Sequence, residues 1–521
     1  MNVLFSTQSE SLRLFSDLRM ALAPQLPIER AGFLVADSLA YARWRHEEPQ
    51  FEQRGDLIVK EWEITSQRSA RPDLAKLARY ERELGGRAGL FGAVVADRRL
   101  LMGADCTYSQ DYRRRFTDDE LLSILQNGLQ SIERVFDELR PSVLVGFICV
   151  TMLDYLAYLF ARSRDVRVLN LRPTRIADRV TFGSMLNDPD PALVAAYQRI
   201  RTSGSSSFSA ARQVIAKTRA DHARYEGVVR PSDHPSLAVS IHDSVGKTAA
   251  RFVSNYRRYH STVSRHDNHV PNPLRALTFA AVVNPLRARA TNRFLSSQLI
   301  DERDLQGLRY AFFPLHTEPE VSLLVYGRPF VNQIEIIRAL ALSLPADMML
   351  VVKEHPWMVG KRTLGAYRKM LNIPRVRFVR PGLDARAVIQ HASLVAVITG
   401  SIALEAAMLG KPVLTFGDCP YNVLPETMVT RVSDVRHLPA AMSQLLREYR
   451  LDDEALESYV AAVFETSASV NLYSVLLKKK KVHAERTSTY DEEIQRLAAY
   501  LMTCAAATKT PNGDSQDTAR W

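Results

Sequence analysis

The segment LVAVITGSIALEAAMLGKPVLTFG, Leu394–Gly417, holds the most telling chemistry in this sequence. Its apolar run ends at Ile398, and Thr399, Gly400 and Ser401 form a turn into a helix that carries Glu405 about one turn in. A helix N-terminus offers unpaired amides and a partial positive charge, Gly400 lets backbone approach closely, and Ser401 adds a hydroxyl. That is an anion site, with Glu405 placed for sugar or ribose hydroxyls. The same pattern also describes a helix that Ser401 caps and Glu405 complements. In VVKEHPW, Val351–Trp357, His355 suits a phosphate oxygen, Pro356 stiffens the loop and Lys353 adds charge. In FPLHTEPE, Phe313–Glu320, the side chains of His316, Glu318 and Glu320 crowd a loop stiffened by Pro314 and Pro319, suited to contacts with a sugar or base. No further His or Cys stands at zinc-ligand spacing, so no metal is expected.

Each of these loops follows an apolar run. Arg309–Pro314, Met348–Lys353, Val376–Val379, Leu394–Ile398 and Pro412–Phe416 read as strands, with helices over Phe330–Leu344, Lys361–Leu371, Ala385–Ala392 and Ser401–Leu409 between them. Alternation of this kind predicts a parallel sheet, and ligands collect at the carboxyl edge of such sheets. The amino-terminal part repeats the pattern: strands at Asn2–Phe5, Gly32–Ala36, Leu90–Ala96, Val143–Val150 and Val166–Leu169, with helices at Leu12–Leu22 and Asp118–Leu139. The second helix starts on a capping box, Thr117 with Glu120, and Pro141 follows it. Acids after these strands, Glu10, Asp37 and Asp97, are candidates for a general base or nucleophile on the far side of a cleft, or are caps and surface acids. Arg172, Arg175 and Arg179 are placed to hold an anionic acceptor or a phosphate, or to pair with acids.

The chain has 521 residues, 46% hydrophobic and 24% charged, with Gly 22 and Pro 25. These values exclude a disordered, collagenous or disulfide-rich chain and call for more than one domain. The net charge of +11 favours anionic partners such as nucleic acid, a nucleotide, phosphate groups or an anionic membrane. Cys106, Cys149, Cys419 and Cys504 lie too far apart for a CxxC or zinc site, which suits free thiols in a reducing compartment. The start, MNVLFSTQSE, has no basic region followed by a long apolar run, so no signal peptide is expected. Val143–Phe160 approaches membrane-spanning length, but Asp154 within it favours a buried strand and helix. Asn187–Leu305 reads as helical and Arg-rich, with a flexible loop at Ser203–Ser209, and its basic face suits a membrane surface. Lys478–Lys481 is a lysine run. SVGKT at Ser244–Thr248 resembles a phosphate loop but has Ile241 where the first glycine belongs. His260, His266 and His269, near Asp267, have no ligand spacing.

FFPLHTEPE, KEHP and ITGSIALEAAMLGKPVLTFG, in this order, resemble the capsule polysaccharide biosynthesis family, itself similar to bacterial Kdo (3-deoxy-manno-octulosonate) transferases of capsule assembly and other GT-B glycosyltransferases. The likeness spans about Arg309–Tyr421 and, more weakly, Val143–Arg179, with LNLRPTRIADR as an Arg-rich segment. It implies an α/β, GT-B-like fold: two Rossmann-like domains facing a cleft, with a helical connecting region. Residues 1–186 would form the acceptor domain, 187–305 the connecting region, 306–440 the nucleotide-sugar domain and 441–506 C-terminal helices, with 507–521 a disordered tail. The resemblance places the nucleotide phosphate at His355 and Pro356 and maps the family's Ser/Thr-Gly turn and following Glu onto Thr399, Gly400, Ser401 and Glu405; with Glu318 and Lys353 these are the donor-binding candidates. Glu10, Asp37 and His316 stand as catalytic candidates, with Arg172 and Arg175 toward the acceptor or a phosphate. PLHTEP stands where the family has a Gln-Pro type motif, so the donor is left open between CMP-Kdo and a UDP-sugar. The implied activity is metal-independent, cofactor-free transfer of a sugar from a nucleotide-sugar to a growing capsular glycan or glycolipid. It would take place in the cytoplasm or peripherally at the inner face of the cytoplasmic membrane, in contact with anionic lipid and assembly machinery and without nucleic acid. A nucleotide-sugar epimerase of the same fold and a non-catalytic, membrane-associated assembly component are the alternatives.

Overall fold

A computed structural model describes residues 1–68, 71–84, 89–102, 116–220, 272–478 and 488–506, with isolated positions between 252 and 270. SVGKT, His266, His269, Cys106, Lys479–Lys481 and the tail 507–521 lie outside the described residues.

Two seven-stranded sheets organise the chain. The first contains β1 (Asn2–Thr7), β2 (Arg30–Val35), β3 (Leu57–Lys60), β4 (Val143–Gly146), β5 (Arg167–Pro173) and β6 (Arg179–Gly183). The second contains β7 (Leu299–Ile300), β8 (Tyr310–Pro314), β9 (Met349–Lys353), β10 (Val376–Val379), β11 (Leu394–Val397), β12 (Val413–Thr415) and β13 (Val429–Arg431). A late strand, β14 (Ala468–Ser469), returns to the first sheet and pairs antiparallel with β6. The spatial orders are β14-β6-β5-β4-β1-β2-β3 and β13-β12-β11-β8-β9-β10-β7. The second is parallel throughout, and the first is parallel from β5 to β3.

Both faces of each sheet are covered, which is why the strands read as continuous apolar runs. Phe5, Phe33 and Val145 point into one amino-terminal core and Leu4, Leu34 and Leu144 into another. In the second sheet Phe312, Val351 and Val397 face one way and Phe313, Val352 and Ala396 the other. The expected fold, two Rossmann-like α/β units joined by helices, is what the topology shows.

Local differences have physical causes. Leu90–Ala96 is not a strand: Phe91–Ala96 is a short helix with Ala93 and Val94 fully buried, so a helix without a polar face gave no helical period. The third strand is instead the half-buried β3, only four residues long. β4 stops at Gly146, and Thr151 then caps the helix Met152–Ser163 in a capping box with Asp154. Among the described residues no helix is long and apolar enough to cross a membrane. The box predicted for Thr117 and Glu120 is present on Asp118–Leu139.

Candidate functional site

In each sheet the chain departs in opposite directions from one central strand, leaving a crevice beyond the carboxyl ends where strand order reverses. In the second sheet that crevice lies between β8 and β11. Register fixes its rim: Pro314 pairs with Lys353, and Val395 with Phe312. The loops after β8, β9 and β11 therefore leave one edge at nearly one level. They enclose a cavity of about 460 Å³, within the usual range for small-molecule sites. Its lining includes His316, Glu320, His355, Thr399, Gly400 and Ser401 from this sheet, and Ile148, Arg172 and Arg175 from the first.

The turn into the helix Ser401–Met408 decides between its two readings. Gly400, not Ser401, is the N-cap residue, at φ 114°, and no side chain caps the helix. No acid sits in the first turn, and Glu405 lies 3.9 Å from Arg386. The first-turn amides and their dipole thus face the cavity without a side-chain cap. Glycine is needed here, because that φ strains any L side chain. Tyr421 fixes the turn by donating its hydroxyl to the Gly400 carbonyl at 2.5 Å.

Two histidines flank the turn. The Thr399 N–H donates to His316 Nε2 at 3.4 Å, and the Trp357 N–H to His355 Nδ1 at 3.2 Å. In the neutral rings the protons then sit on His316 Nδ1 and His355 Nε2. Burial pushes the pKa of His316 down to about 4; Glu320 pulls the other way, and His355 and Arg362 add to the fall. His316 is therefore neutral at pH 7, a hydrogen-bonding group rather than an imidazolium acid. Its backbone is clamped by Gln333, whose amide oxygen accepts from the His316 N–H at 2.7 Å.

Beneath the loops lies a network that spacing did not reveal. Arg362, 0% exposed, donates to Glu354 Oε2 at 2.6 Å and to Glu318 Oε2 at 2.7 Å. It also reaches the His316 carbonyl at 3.3 Å. Tyr367 donates to the same Glu354 oxygen at 2.8 Å, and the other Glu354 oxygen accepts from the His355 N–H at 2.8 Å. One guanidinium thus ties the His316 loop to the His355 loop.

From the facing sheet, Arg172 is 9% exposed and donates to the Leu186 carbonyl at 3.1 Å. It passes directly over Gly183, where a Cβ would fall 2.1 Å from its guanidinium. Arg175, at φ 63°, places its guanidinium 5.7 Å from the Tyr473 ring centre.

Several candidates stand elsewhere. Glu10 is half-exposed and paired with Arg43 at 2.9 Å. Asp37 caps the helix Ser38–Glu47. Asp97, 1% exposed, caps Arg98–Met102 beside the buried Glu61, whose carboxyl is pushed well above its usual range by burial, Asp97 and Asp154. None of these three acids lines the cavity; the carboxylates that do are Glu320 and Asp190. Among the donor candidates, Glu318, Lys353, Pro356 and Glu405 are also outside the lining. Glu318 belongs to the Arg362 network, and Lys353 donates to the Pro381 carbonyl at 2.9 Å. Burial lowers the Lys353 pKa to about 8. Arg179 bonds Ser467 at 2.7 Å instead of facing the cavity. No cluster of His, Cys, Asp and Glu among the described residues has the geometry of a metal centre.

Residues 275–464 match the model of the capsule polysaccharide biosynthesis protein family. The resemblance carried by FFPLHTEPE, KEHP and ITGSIALEAAMLGKPVLTFG is thereby borne out, over the strands that build the crevice. Protein FixF of Sinorhizobium fredii is 29% identical over 154 residues, 29% of this chain and 36% of that protein. The capsule polysaccharide modification protein LipA of Neisseria meningitidis is 26% identical over 146 residues, 28% of this chain and 20% of LipA. Among solved structures, the β-Kdo 2,7-transferase KpsC of Thermosulfurimonas dismutans is 13% identical, covers 72% of this chain and 89% of its own, and has a TM-score of 0.33. UDP-GlcNAc 2-epimerase from Neisseria meningitidis bound to UDP-GlcNAc is 12% identical, covers 89% and 99%, and has a TM-score of 0.27.

Proposed function

We propose that this protein is a glycosyltransferase of capsular or surface polysaccharide synthesis that takes its sugar from a nucleotide-sugar. The observation that carries this reading is the helix Ser401–Met408, which opens without a side-chain cap into a cavity shared by two Rossmann-like units, beside His316 and His355. Such a terminus suits the phosphate of a nucleotide leaving group, where oriented amides stabilise charge as the glycosidic bond to phosphate breaks. His355 and neutral His316 Nδ1–H are hydrogen-bonding groups for the remaining phosphate or sugar oxygens. Arg172 and Arg175 enter from the opposite unit and answer the negative charge of donor or acceptor. The acceptor hydroxyl attacks the anomeric carbon and its proton passes to a carboxylate. Asp190 is engaged at the start of the helix Pro191–Ser203, which leaves Glu320, held by Thr317 at 2.6 Å and Ser322 at 3.1 Å, as the group we assign to that role. The match to the capsule family supports the polysaccharide context, and the donor is a CMP- or UDP-linked sugar.

Calorimetric titration with CMP, UDP, GDP, ADP and dTDP tests this reading on the purified protein and on Ser401→Asp and His355→Ala. Aspartate at the first helical position suits the dipole and keeps the helix, yet repels a phosphate. Binding of one nucleotide that is lost in Ser401→Asp and weakened in His355→Ala is the expected result. Absence of binding by any nucleotide, or unchanged binding in Ser401→Asp, overturns the assignment.

A further inference from the structure

Residues 273–296 form one continuous helix: Pro273–Thr278, a π turn at Phe279–Val283, then Asn284–Ser296. Asn272 caps it, accepting from the Leu274 and Arg275 N–H groups at 3.0 and 3.2 Å. One side is docked. Thr291 and Leu295 are buried, and the backbone of Gly360 comes so close that a Cβ there would lie 2.7 Å from the Asn284 carbonyl. The other side faces outward with Leu274 56%, Val282 50% and Leu286 57% exposed. Among the described residues only six large apolar side chains are at least half exposed, and three share this helix. Trp357, 56% exposed, is three residues from Gly360 on the loop that begins at His355.

Charge gives this face a direction. From Val270 to Ile300 the sequence contains Arg275, Arg287, Arg289 and Arg293 and no Asp or Glu. Arg289 and Arg293 are exposed, and among the described residues neither is paired with an acid. An exposed aliphatic stripe beside unpaired cations is poorly suited to water. It is also a weak match to a protein surface that carries the usual mix of both signs. Both properties fit the boundary of an anionic bilayer, where aliphatic side chains enter the acyl region and guanidinium groups meet lipid phosphates.

We propose that the helix 273–296 is a membrane-docking surface for anionic lipid, beside the loop that carries His355. The inference stands apart from the nucleotide assignment, since it needs only the exposed face and its charge.

Co-sedimentation of the full chain with phosphatidylglycerol-containing and with pure phosphatidylcholine vesicles, at low and high salt, tests it. Binding to the anionic vesicles that weakens with salt is expected. Removing two basic residues in Arg289→Gln/Arg293→Gln should weaken it about thirtyfold, and Val282→Asp/Leu286→Asp should abolish it. Leu342→Asp, an exposed apolar position on another helix, 74% open, should bind as the parent does. Thermal melting checks that each variant is folded, and nucleotide titration of the helix variants should match the parent, which separates this surface from the cavity. Failure of the parent to bind anionic vesicles overturns the proposal. So does binding that survives both helix substitutions, which would place the contact elsewhere, such as the lysine run, or binding indifferent to lipid charge.

Discussion

Arg362 shows how much of the candidate site rests on a buried residue outside the cavity lining. Its guanidinium is fully buried between Glu318 and Glu354, and Glu318 is already pushed up by burial despite the pairing. Replacing Arg362 by Met removes the cation and leaves two buried carboxylates facing each other. The expected cost is about 3–5 kcal/mol, read as a lower urea midpoint, together with weaker nucleotide binding as the His316 and His355 loops separate. A loss under about 1 kcal/mol would show that the network is not structural. Histidines 316 and 355 and the Thr399–Ser401 turn were legible in the sequence because each sits within a few residues of a strand end. The Arg362 network was not, because it joins positions 318, 354 and 362 from separate loops, and no single periodicity links them. Glu318 and Glu405 were read as ligand contacts for the same reason: an acid near a strand end or in the first turns of a helix has the same local pattern whether it faces a cavity or an arginine.

Elements far apart in the chain share cores. The helix Tyr490–Ala506 packs on Ser11–Leu22, and β14 extends the first sheet, so the carboxyl-terminal segment completes the amino-terminal unit. Conversely, Pro191–Ser203 and Phe208–Arg219 pack on Asp453–Glu465, and Arg386 reaches the Thr218 and Arg219 carbonyls at 2.6 Å. Most strand and helix identities were readable from periodicity, Leu90–Ala96 excepted, whereas this exchange was not, since an amphipathic stripe does not name its partner. The prediction at this scale is that Leu497→Ala destabilises the amino-terminal unit. Leu497 is 0% exposed and lies in one core with Trp44 and Trp62. The expected loss is about 2–5 kcal/mol, seen in denaturant unfolding followed by tryptophan fluorescence. If the fluorescence transition stays in place while only helical signal is lost, the helix is an attachment rather than part of that core.

Side chains that bridge the two units bear on how the cleft is held. Arg98 donates to the Pro319 carbonyl at 3.1 Å, and Arg328 to the Gly92 carbonyl at 2.6 Å. On the other flank Asn187 bonds the Asp418 carbonyl, and the Asp418 carboxyl hydrogen-bonds Asp188, at the head of the connecting region. Two carboxyls in contact share a proton more easily than they both ionise. Burial and Asp188 push Asp418 up to about 7, and its ion pair with Arg431 opposes this only in part. The sign follows from linkage. The folded chain keeps a proton that the unfolded chain, with an ordinary aspartate near 3.8, releases, so the junction's contribution is complete below about 3.8 and is lost progressively as pH rises from there to about 7. Asp418→Asn mimics the protonated carboxyl at every pH. The variant should therefore melt only slightly above the parent near pH 4, and the gap should widen up to about pH 7 and stay level above it. A gap that is constant across that range would mean that Asp188 and Asp418 ionise independently and that Arg431 alone governs the junction.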